Sequence, residues 1–436
     1  MSATEPAGGQ QERSLGDEIV GRIDELAAVS EAPQHLTRMF LTKQHRAAAD
    51  LILGWMRSAG MRAHLDAIGN VCGRYEGEAA GSPCLMLGSH YDTVRDAGKW
   101  DGPLGLITAI SCVAELHKKG RRLPFAVEVI GFADEEGVRF ASTLLGSRAV
   151  AGTFDERVLG AKDSAGISMR DALSQFGLDP NHIGAAARAR GELLGYIELH
   201  IEQGPVLEAQ GLPAGVVTAI AGATRLAASL TGMAGHAGTV PMRLRRDALA
   251  GSAECIVAIE EFCRTDEDGL VGTVGSIHAM PGATNVIPGQ VSFTIDIRAP
   301  SDAHRKRAVA AIVRKIETIA KRRQLELRVD ITHENRTAPC APWLRSQLAE
   351  AIAGEGFPVL ELPSGAGHDG MAMIDIADVG MLFVQCRGGV SHHPDEHAEL
   401  ADVDAAARVL LRLIENFRPR DAAEQNQVRG GKYGNS

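Results

Sequence analysis

Metal-binding side chains follow four apolar, strand-like segments of this chain. The segments CLMLGS, AVEVIGFAD, LLGYIEL and GMLFVQC are followed, in that order, by His90, by Glu135 and Glu136, by His200, and by His392 and His393. In open α/β sheets, binding groups gather at the carboxyl ends of the strands, so we expect these residues to share one site. Histidines and carboxylates without cysteine suit zinc, manganese or cobalt at a hydrolytic centre.

Two aspartates extend this set. Asp101 lies in KWDGPLG, directly before an apolar helix, and adds a carboxylate between the first two segments. Asp92 follows His90 by two residues, so in an extended segment it lies on the same side as the histidine. There it could accept the far N–H of an imidazole and orient the ring. A turn-forming role is the alternative for Asp92.

The elements that must position these residues alternate between helices and strands. Residues 15–60 are predicted to be helical, and from residue 70 to about 217 short apolar strands alternate with helices, which indicates an α/β sheet. Residues 221–332 instead follow the order βαββαβ of a ferredoxin-like α+β domain. We therefore predict one α/β domain in two parts, 1–220 and 333–436, interrupted by an insert at 221–332. The first dozen residues and the C-terminal tail are predicted to be disordered.

The insert carries polar residues on one face of its predicted sheet. LVGTVGSIHA and QVSFTIDIR are predicted to be strands. In QVSFTIDIR the alternating apolar residues Val291, Phe293, Ile295 and Ile297 face one way, and Arg298 points to the other face. Because ligand sites favour domain interfaces, the polar face is a candidate for substrate handling.

Composition narrows the class of protein. The net charge of -10 leaves no electrostatic footprint for nucleic acid or an anionic membrane, so neither is expected as a partner. The seven cysteines form no CxxC pair, and most lie among apolar residues, so we expect reduced, buried thiols. The polar N-terminus lacks the apolar core of a signal peptide, and no apolar run approaches the length of a membrane span. These features predict a cytoplasmic protein.

The motifs GSHYDTV, KWDGPLG, ADEEGVRF, ELHIEQGP and GGVSHHPDE resemble those of the hydantoinase/carbamoylase branch of the M20 metallopeptidase-like amidohydrolases. The resemblance spans roughly residues 15 to 415. The branch includes allantoate amidohydrolase, N-carbamoyl-L-amino-acid hydrolase and β-ureidopropionase. The resemblance implies the fold class α/β, with a zinc-peptidase-like α/β catalytic domain interrupted by a ferredoxin-like α+β domain. It also implies that the inserted domain serves as a dimerisation and lid domain.

The resemblance implies two divalent metal ions, zinc or manganese, with cobalt and nickel as alternatives. The first ion is bound by the histidines of HxD and HIEQGP, and the second by the later glutamate of DEEG and the histidine of SHxPxE. The aspartate of DGxLG bridges both. These ligands are, in chain order, His90, Asp101, Glu136, His200 and His392. His393 is the rival of His392, because spacing alone does not separate two adjacent histidines.

Catalytic roles are implied in the same way. Glu135 is the general base, which takes a proton from water and passes it to the leaving amine. His236 and Asn285, both in the insert, polarise the carbonyl under attack and stabilise its oxyanion.

Substrate binding is implied for four further residues. Gln203 hydrogen-bonds the substrate, Arg298 clamps its carboxylate, and Gly365 and Gly367 offer backbone N–H groups to the same carboxylate. The residues that follow these glycines, His368 and Asp369, fit a structural loop as well as a role in orienting the site.

HIEQGP distinguishes the ureido branch, because its aminoacylase and carboxypeptidase relatives commonly place an acidic ligand where His200 stands. We expect a hydrolase that cleaves a non-peptide C–N bond of a ureido or carbamoyl acid. The substrate is expected to be allantoate, with release of ammonia and carbon dioxide, or an N-carbamoyl-L-amino acid. The alternatives are an M20-type aminoacylase or peptidase and a non-catalytic metal-binding module. Relatives pair through the insert, so a homodimer is expected, with His236 acting in cis or in trans.

Overall fold

A computed structural model describes residues 13–420 of the chain. The helices are α1 (Leu15–Ala27), α2 (Lys43–Ser58), α3 (Pro103–Lys118), α4 (Leu145–Val150), α5 (Met169–Phe176), α6 (Val206–Gln210), α7 (Ala248–Arg264), α8 (Asp302–Arg322), α9 (Pro342–Gly354), α10 (Gly370–Met373) and α11 (Leu400–Glu415). The strands are β1 (Arg62–Leu65), β2 (Val71–Tyr75), β3 (Cys84–His90), β4 (Ala126–Phe132), β5 (Leu193–Ile201), β6 (Ala214–Ile220), β7 (Gly222–Thr231), β8 (Gly235–His236), β9 (Val271–Thr273), β10 (Ile277–Met280), β11 (Val286–Ile287), β12 (Gln290–Ala299), β13 (Glu326–Asn335), β14 (Ala338–Pro339), β15 (Glu361–Ser364) and β16 (Val379–Val384). The two tails predicted to be disordered lie outside the described residues.

The chain divides into two compact units. Among the described residues, the large unit comprises 13–217, Cys340–Glu361 and 368–420. The small unit comprises Thr218–Pro339 and the short segment Leu362–Gly367. Each unit has its own buried apolar cluster.

The large unit is built on a mixed sheet in which four adjacent parallel strands carry the candidate ligands. Its strand order is β1-β2-β4-β3-β5-β16-β6, and β4, β3, β5 and β16 run parallel to one another. Strands β3, β4 and β16 are buried along their whole length, as expected for parallel strands covered on both faces. Their carboxyl ends therefore meet at one edge of the sheet, where the segments after β3, β4 and β16 begin.

The small unit has a ferredoxin-like topology. Its sheet has the order β10-β12-β7-β13, with β9 also paired to β12, and the helices α7 and α8 pack against it. The predicted apolar face of β12 is buried, because Val291, Phe293, Ile295 and Ile297 are each at most 2% exposed. Arg298 lies on the opposite face and pairs with Asp296 two residues earlier. The predicted fold class, with its α/β domain and ferredoxin-like insert, is confirmed.

One predicted strand is wrong in detail. LVGTVGSIHA forms two short strands, β9 and β10, rather than one. Thr273 of β9 lies opposite Asp296, and Ile277 of β10 lies opposite Phe293. Four positions of the chain, from 273 to 277, are therefore matched by only three positions of β12, from 296 to 293. The extra residue is a β-bulge, which interrupts the pairing between the two short strands.

The described cysteines agree with the prediction of reduced thiols: all seven are free and buried. Within residues 13–420, the helices are either too short or too polar to cross a membrane.

Candidate metal centre

His90 ends β3 and is 2% exposed. Its Nδ1 lies 3.1 Å from the backbone carbonyl oxygen of Asp92, so this nitrogen carries the ring proton and Nε2 is left for the site. The ring lies against Gly102, where a Cβ atom would come within 2.5 Å of the imidazole. Gly102 also has a φ of +83°, which favours glycine. A side chain at position 102 would therefore displace the first candidate ligand.

Asp101 lies between two sets of histidines. Its Oδ1 is 3.0 Å from Nε2 of His200 and 3.6 Å from Nε2 of His90, whereas its Oδ2 is 3.0 Å from Nε2 of His392. His200, near the end of β5, directs its Nδ1 at the carbonyl oxygen of Ile201, 2.9 Å away. The two oxygens of one carboxylate thus face different histidines, as a bridging ligand requires.

Three groups of residues each bring their ligand atoms within 4.8 Å of one another. These groups are His90–Asp101–His200, His90–Glu135–Glu136 and Asp101–Glu136–His392. Nε2 of His392 lies 3.3 Å from Oε1 of Glu136. His393 belongs to none of these three groups, and its Nδ1 accepts the backbone N–H of Asp395 at 3.2 Å. The five residues predicted as ligands therefore lie together, and His392 is nearer to the others than its neighbour.

The donor set fits divalent cations. Because Nδ1 of His90 and of His200 faces a carbonyl oxygen, the Nε2 lone pairs are directed at the oxygens of Asp101. Such lone pairs repel unless a proton or a cation lies between them. Burial lowers the pKa of His90, but Asp101 and Asp92 raise it to well above its usual value. Burial raises the pKa of Asp101, but His200, His392 and His90 hold it well below its usual value. An arrangement that holds protons this firmly can hold a divalent metal ion instead.

Asp92 holds the segment that carries both glutamates. Its Oδ1 accepts the backbone N–H of Glu135 at 3.1 Å, and its Oδ2 accepts that of Glu136 at 3.2 Å. The Asp92 carboxylate lies 3.6 Å from Nδ1 of His90, farther than the Asp92 carbonyl oxygen. The residue therefore contacts the His90 ring chiefly through its backbone, and its side chain fixes the relative placement of two candidate functional groups.

Glu396 is a candidate functional residue that the sequence analysis missed. It is 4% exposed, and its Oε1 accepts the backbone N–H groups of Trp100 at 2.9 Å and Asp101 at 3.0 Å. Its Oε2 lies 3.0 Å from the hydroxyl of Ser391, which is 3.2 Å from Oδ2 of Asp101. Glu396 thus connects the two loops that carry Asp101 and His392. The last letter of the SHxPxE motif was the available signal.

Gln203 lies against the bridging carboxylate. Its Nε2 donates to Oδ2 of Asp101 at 3.1 Å and to the hydroxyl of Ser391 at 2.9 Å. The backbone of Gln203 has a φ of +57°. Such a left-handed conformation in a residue other than glycine is uncommon and is typical of functional sites.

A layer of buried polar residues lies behind His200. The ring of His368 meets that of His200 edge-on, with 4.5 Å between the ring centroids. Burial and then the charge of Glu198 raise the pKa of Asp369 well above its usual value. Glu198 in turn accepts the backbone N–H of Gly370 at 2.9 Å. His368 and Asp369 therefore belong to the packing around the candidate ligand His200 as well as to their loop.

The small unit brings two of its predicted catalytic residues together. His236 of β8 pairs with Val286 of β11, and Asn285 precedes Val286. The carbonyl oxygen of Asn285 accepts the N–H of Ala237 at 2.9 Å. His236 and Asn285 therefore flank the same short two-stranded ladder.

Arg298 is held by two acceptors in the small unit. Asp296 accepts two of its N–H groups, and the carbonyl oxygen of Gly365 accepts one from Nη1 at 2.7 Å. Gly365 thus contacts Arg298 through its carbonyl. Gly367 lies in the same segment, Leu362–Gly367.

Known proteins are similar to this one in sequence over most of the chain. The model of the family described as peptidase family M20/M25/M40 matches residues 86–416. An allantoate deiminase of Arabidopsis thaliana is 44% identical over 434 residues, which cover 92% of this chain and 82% of the relative. An N-carbamoyl-L-amino acid amidohydrolase of Geobacillus stearothermophilus is 40% identical over 400 residues, which cover 92% of this chain and 98% of the relative.

A solved structure agrees with these relatives. The amidase of the hydantoinase/carbamoylase family from Burkholderia multivorans has a TM-score of 0.87 to this chain and is 32% identical to it. The match covers 93% of this chain and 98% of the amidase. The resemblance inferred from the motifs is confirmed. The chain therefore belongs to peptidase family M20/M25/M40, in its hydantoinase/carbamoylase branch.

Proposed function

We propose that this protein is a binuclear-metal hydrolase that cleaves a non-peptide C–N bond of a small ureido acid. Allantoate is the first candidate substrate and an N-carbamoyl-L-amino acid the second. The observation that carries the proposal is the position of Asp101, whose two oxygens face separate sets of ligands, 3.0 Å from His200 on one side and 3.0 Å from His392 on the other. A single carboxylate placed in this way can serve two cations.

In this proposal His90 and His200 bind one ion and Glu136 and His392 the other, with Asp101 shared. Two of the three groups of neighbouring ligand atoms support this division. The two ions are proposed to be zinc or manganese, with cobalt and nickel as alternatives. Imidazole and carboxylate donors suit all four metals. When bound, the two cations would act as Lewis acids on the substrate carbonyl and lower the pKa of the attacking water.

Glu135 is proposed to transfer a proton from the attacking water to the leaving amine. Burial raises its pKa; His90 opposes this effect, Glu136 and Asp369 add to it, and the net pKa lies well above the usual value. A carboxylate with a raised pKa is a stronger base, which can take a proton from water and later transfer it to the leaving amine. Its backbone N–H bond to Asp92 fixes Glu135 beside the ligand Glu136.

The small unit is proposed to supply substrate binding. His236 and Asn285 donate hydrogen bonds to the carbonyl oxygen as negative charge develops on it. Arg298 binds the substrate carboxylate with its planar fork, and Gln203 of the large unit hydrogen-bonds the substrate. The small unit also serves as a lid and as the contact of a homodimer in this proposal. A cytoplasmic location stays a prediction.

The net reaction is balanced by water alone. Water adds to the ureido carbonyl, a C–N bond of the ureido group breaks, and the amine leaves with the proton carried by Glu135. The carbamate that results decomposes to ammonia and carbon dioxide.

The test measures ammonia release and the appearance of new free amino groups from a panel of acids, with protein loaded with manganese or with zinc. The panel contains allantoate, N-carbamoyl-L-amino acids, β-ureidopropionate, an N-acetyl-amino acid and a dipeptide. Turnover of the ureido acids alone supports the proposal. Turnover of the last two compounds alone would indicate an aminoacylase or peptidase, and a metal-loaded protein inert toward the whole panel would indicate a non-catalytic module.

A further inference from the structure

The small unit contains a cavity of about 600 Å³ on the polar face of its sheet. Its polar lining includes Arg225, Thr273, Thr294, Asp296 and Arg298. A volume of this size lies in the range of small-molecule sites and exceeds what a single carboxylate group fills. If Arg298 holds the substrate carboxylate, the rest of the cavity is available to another part of the same molecule.

The orientation of Arg298 is fixed from two sides. Asp296 accepts Nε–H at 3.0 Å and Nη2–H at 3.1 Å, and the carbonyl oxygen of Gly365 accepts Nη1–H at 2.7 Å. A guanidinium has five N–H groups. Two N–H groups therefore remain without a partner among residues 13–420, one on Nη1 and one on Nη2. This number matches the two oxygens of one carboxylate.

A second arginine shares the same anchor. Nε of Arg225 lies 3.1 Å from Oδ2 of Asp296, because the two residues are directly opposite each other on β7 and β12. This is the one side-chain hydrogen bond of Arg225 within the described part of the chain. Four of its N–H groups are therefore available, and its side chain is 53% exposed. Burial raises the pKa of Asp296, but Arg298 and Arg225 bring it below its usual value, so the carboxylate stays charged between them.

Hydroxyl groups complete the lining beside Arg225. Thr273 lies opposite Asp296 on the other side of β12, and Thr294 is two residues before Asp296 on the same face. The hydroxyl of Thr294 lies 3.1 Å from that of Ser276. The region next to the Arg298 clamp therefore presents guanidinium donors and hydroxyl groups that both donate and accept.

A ureido group matches this lining. Its carbonyl oxygen accepts hydrogen bonds from a guanidinium, and its N–H groups donate to hydroxyl oxygens. We propose that Arg225 is a specificity-determining residue, which binds, with Thr273 and Thr294, a second ureido group on the α-carbon of an acid held through its carboxylate by Arg298. This inference rests on the proposed function and deepens it, because it selects the diureido acid allantoate over acids that carry one ureido group.

The test compares allantoate with hydantoate, which is the same acid without the second ureido group. Arg225→Met keeps the length of the apolar stem and removes the N–H groups. The ratio of kcat/KM for allantoate to that for hydantoate is expected to fall roughly tenfold or more, as for loss of a hydrogen bond to a charged group. Arg298→Ala, which affects the carboxylate common to both acids, is expected to lower both values alike.

Arg328→Met is the matched control. Arg328 also lies on a strand of the small unit, β13, and its Nε pairs with Asp330 two residues away at 2.7 Å, outside the cavity lining. The control should leave the ratio unchanged. An unchanged ratio in Arg225→Met, or an equal change in Arg328→Met, would overturn the inference.

A binding measurement separates recognition from turnover. The Glu135→Gln variant, which should bind but not turn over the acids, is compared by calorimetry with the double variant Glu135→Gln/Arg225→Met. Adding Arg225→Met should raise the Kd of allantoate by a factor similar to the fall in the kcat/KM ratio. The Kd of hydantoate should rise much less. Equal weakening of both acids would refute a role for Arg225 in specificity. If the wild-type protein hydrolyses no ureido acid of the panel, the proposed function fails. If it hydrolyses other ureido acids but not allantoate, or if the ratio does not respond to Arg225→Met, only this inference fails.

Discussion

Oε1 of Glu396 accepts the backbone N–H of Asp101 at 3.0 Å, although 295 residues separate the two along the chain. The same oxygen accepts the N–H of Trp100. The candidate bridging ligand is therefore held in place by a residue that follows the candidate ligand His392 by four positions.

Glu396→Gln should weaken metal binding. The amide keeps one oxygen but loses the charge that attracts two backbone N–H groups, so the loop of Asp101 becomes less well fixed. Loss of a residue that orients ligands typically lowers metal affinity by about 10- to 100-fold. Competition with a chromophoric chelator measures this affinity. Glu399→Gln, an exposed neighbour, is the control; equal affinities in both variants would contradict the role of Glu396.

Asp101→Ala should remove both metal ions, because each depends on one of its oxygens. His200→Ala and His392→Ala should each weaken one ion preferentially, and His393→Ala should leave the metal content unchanged. Elemental analysis of each purified variant gives the number of ions per chain. A full complement in Asp101→Ala would exclude the shared-ligand assignment, and a loss in His393→Ala would transfer the second site to that residue.

Glu135→Gln should keep both ions yet lose the chemical step, with a fall in kcat on the order of 10²–10⁴-fold. Glu136→Gln should instead lose metal, since its Oε1 lies 3.3 Å from Nε2 of His392. Turnover and elemental analysis of the two variants, measured side by side, separate the roles. The opposite pattern would show that the two glutamates exchange their functions.

His236 should complete the site either within its own chain or in the partner of the proposed homodimer. A mixture of His236→Ala chains and Glu135→Gln chains decides between the two. If His236 acts in trans, mixed dimers contain one intact composite site and regain activity. A mixture as inactive as its parents would show action in cis, and size-exclusion chromatography of the mixture checks that the dimers have exchanged subunits.

Protein stripped of metal with a chelator should lose stability as the pH rises. Hydrogen bonds to Asp101 and Glu136 raise the pKa of His392 from its usual 6.5 to about 10 in the folded chain. Because the folded pKa is the higher one, the stabilisation is fully present below pH 6.5 and is lost as the pH rises through about 10. Denaturant midpoints across this range measure the slope. His392→Gln should flatten it, whereas a flattening of equal size in His393→Gln would assign the effect elsewhere.

Periodic features of the sequence were sufficient to predict the sheets. The alternation of Val291, Phe293, Ile295 and Ile297 identified the buried face of β12, because side chains on a strand alternate between its two faces. The alternation of short apolar strands with helices likewise indicated an α/β sheet. The division between β9 and β10 was not predictable in this way, since a bulge of one residue leaves the composition of the segment unchanged.

Long-range hydrogen bonds could not be predicted from spacing. Asp92 was expected to contact an imidazole, which is a local relationship, but its carboxylate accepts the N–H groups of Glu135 and Glu136, more than forty residues away. Glu396 was missed for the same reason. A motif can single out the acceptor, as SHxPxE does for Glu396, but spacing does not identify its partner, because the acceptor meets backbone groups that every residue has.

The bond between Glu396 and Asp101 also constrains the order in which the enzyme can mature on the ribosome. His90, Asp101, Glu136 and His200 are synthesised first, followed by the small unit, whose separate apolar cluster comes almost wholly from its own continuous stretch of chain. His392 and Glu396 emerge afterwards. A nascent chain can therefore fold its inserted domain while its candidate metal centre still lacks His392 and the residue that holds the backbone of Asp101. In the proposed enzyme, competence for chemistry arises only after His392 and Glu396 have been synthesised and have met the segments that were made before the small unit.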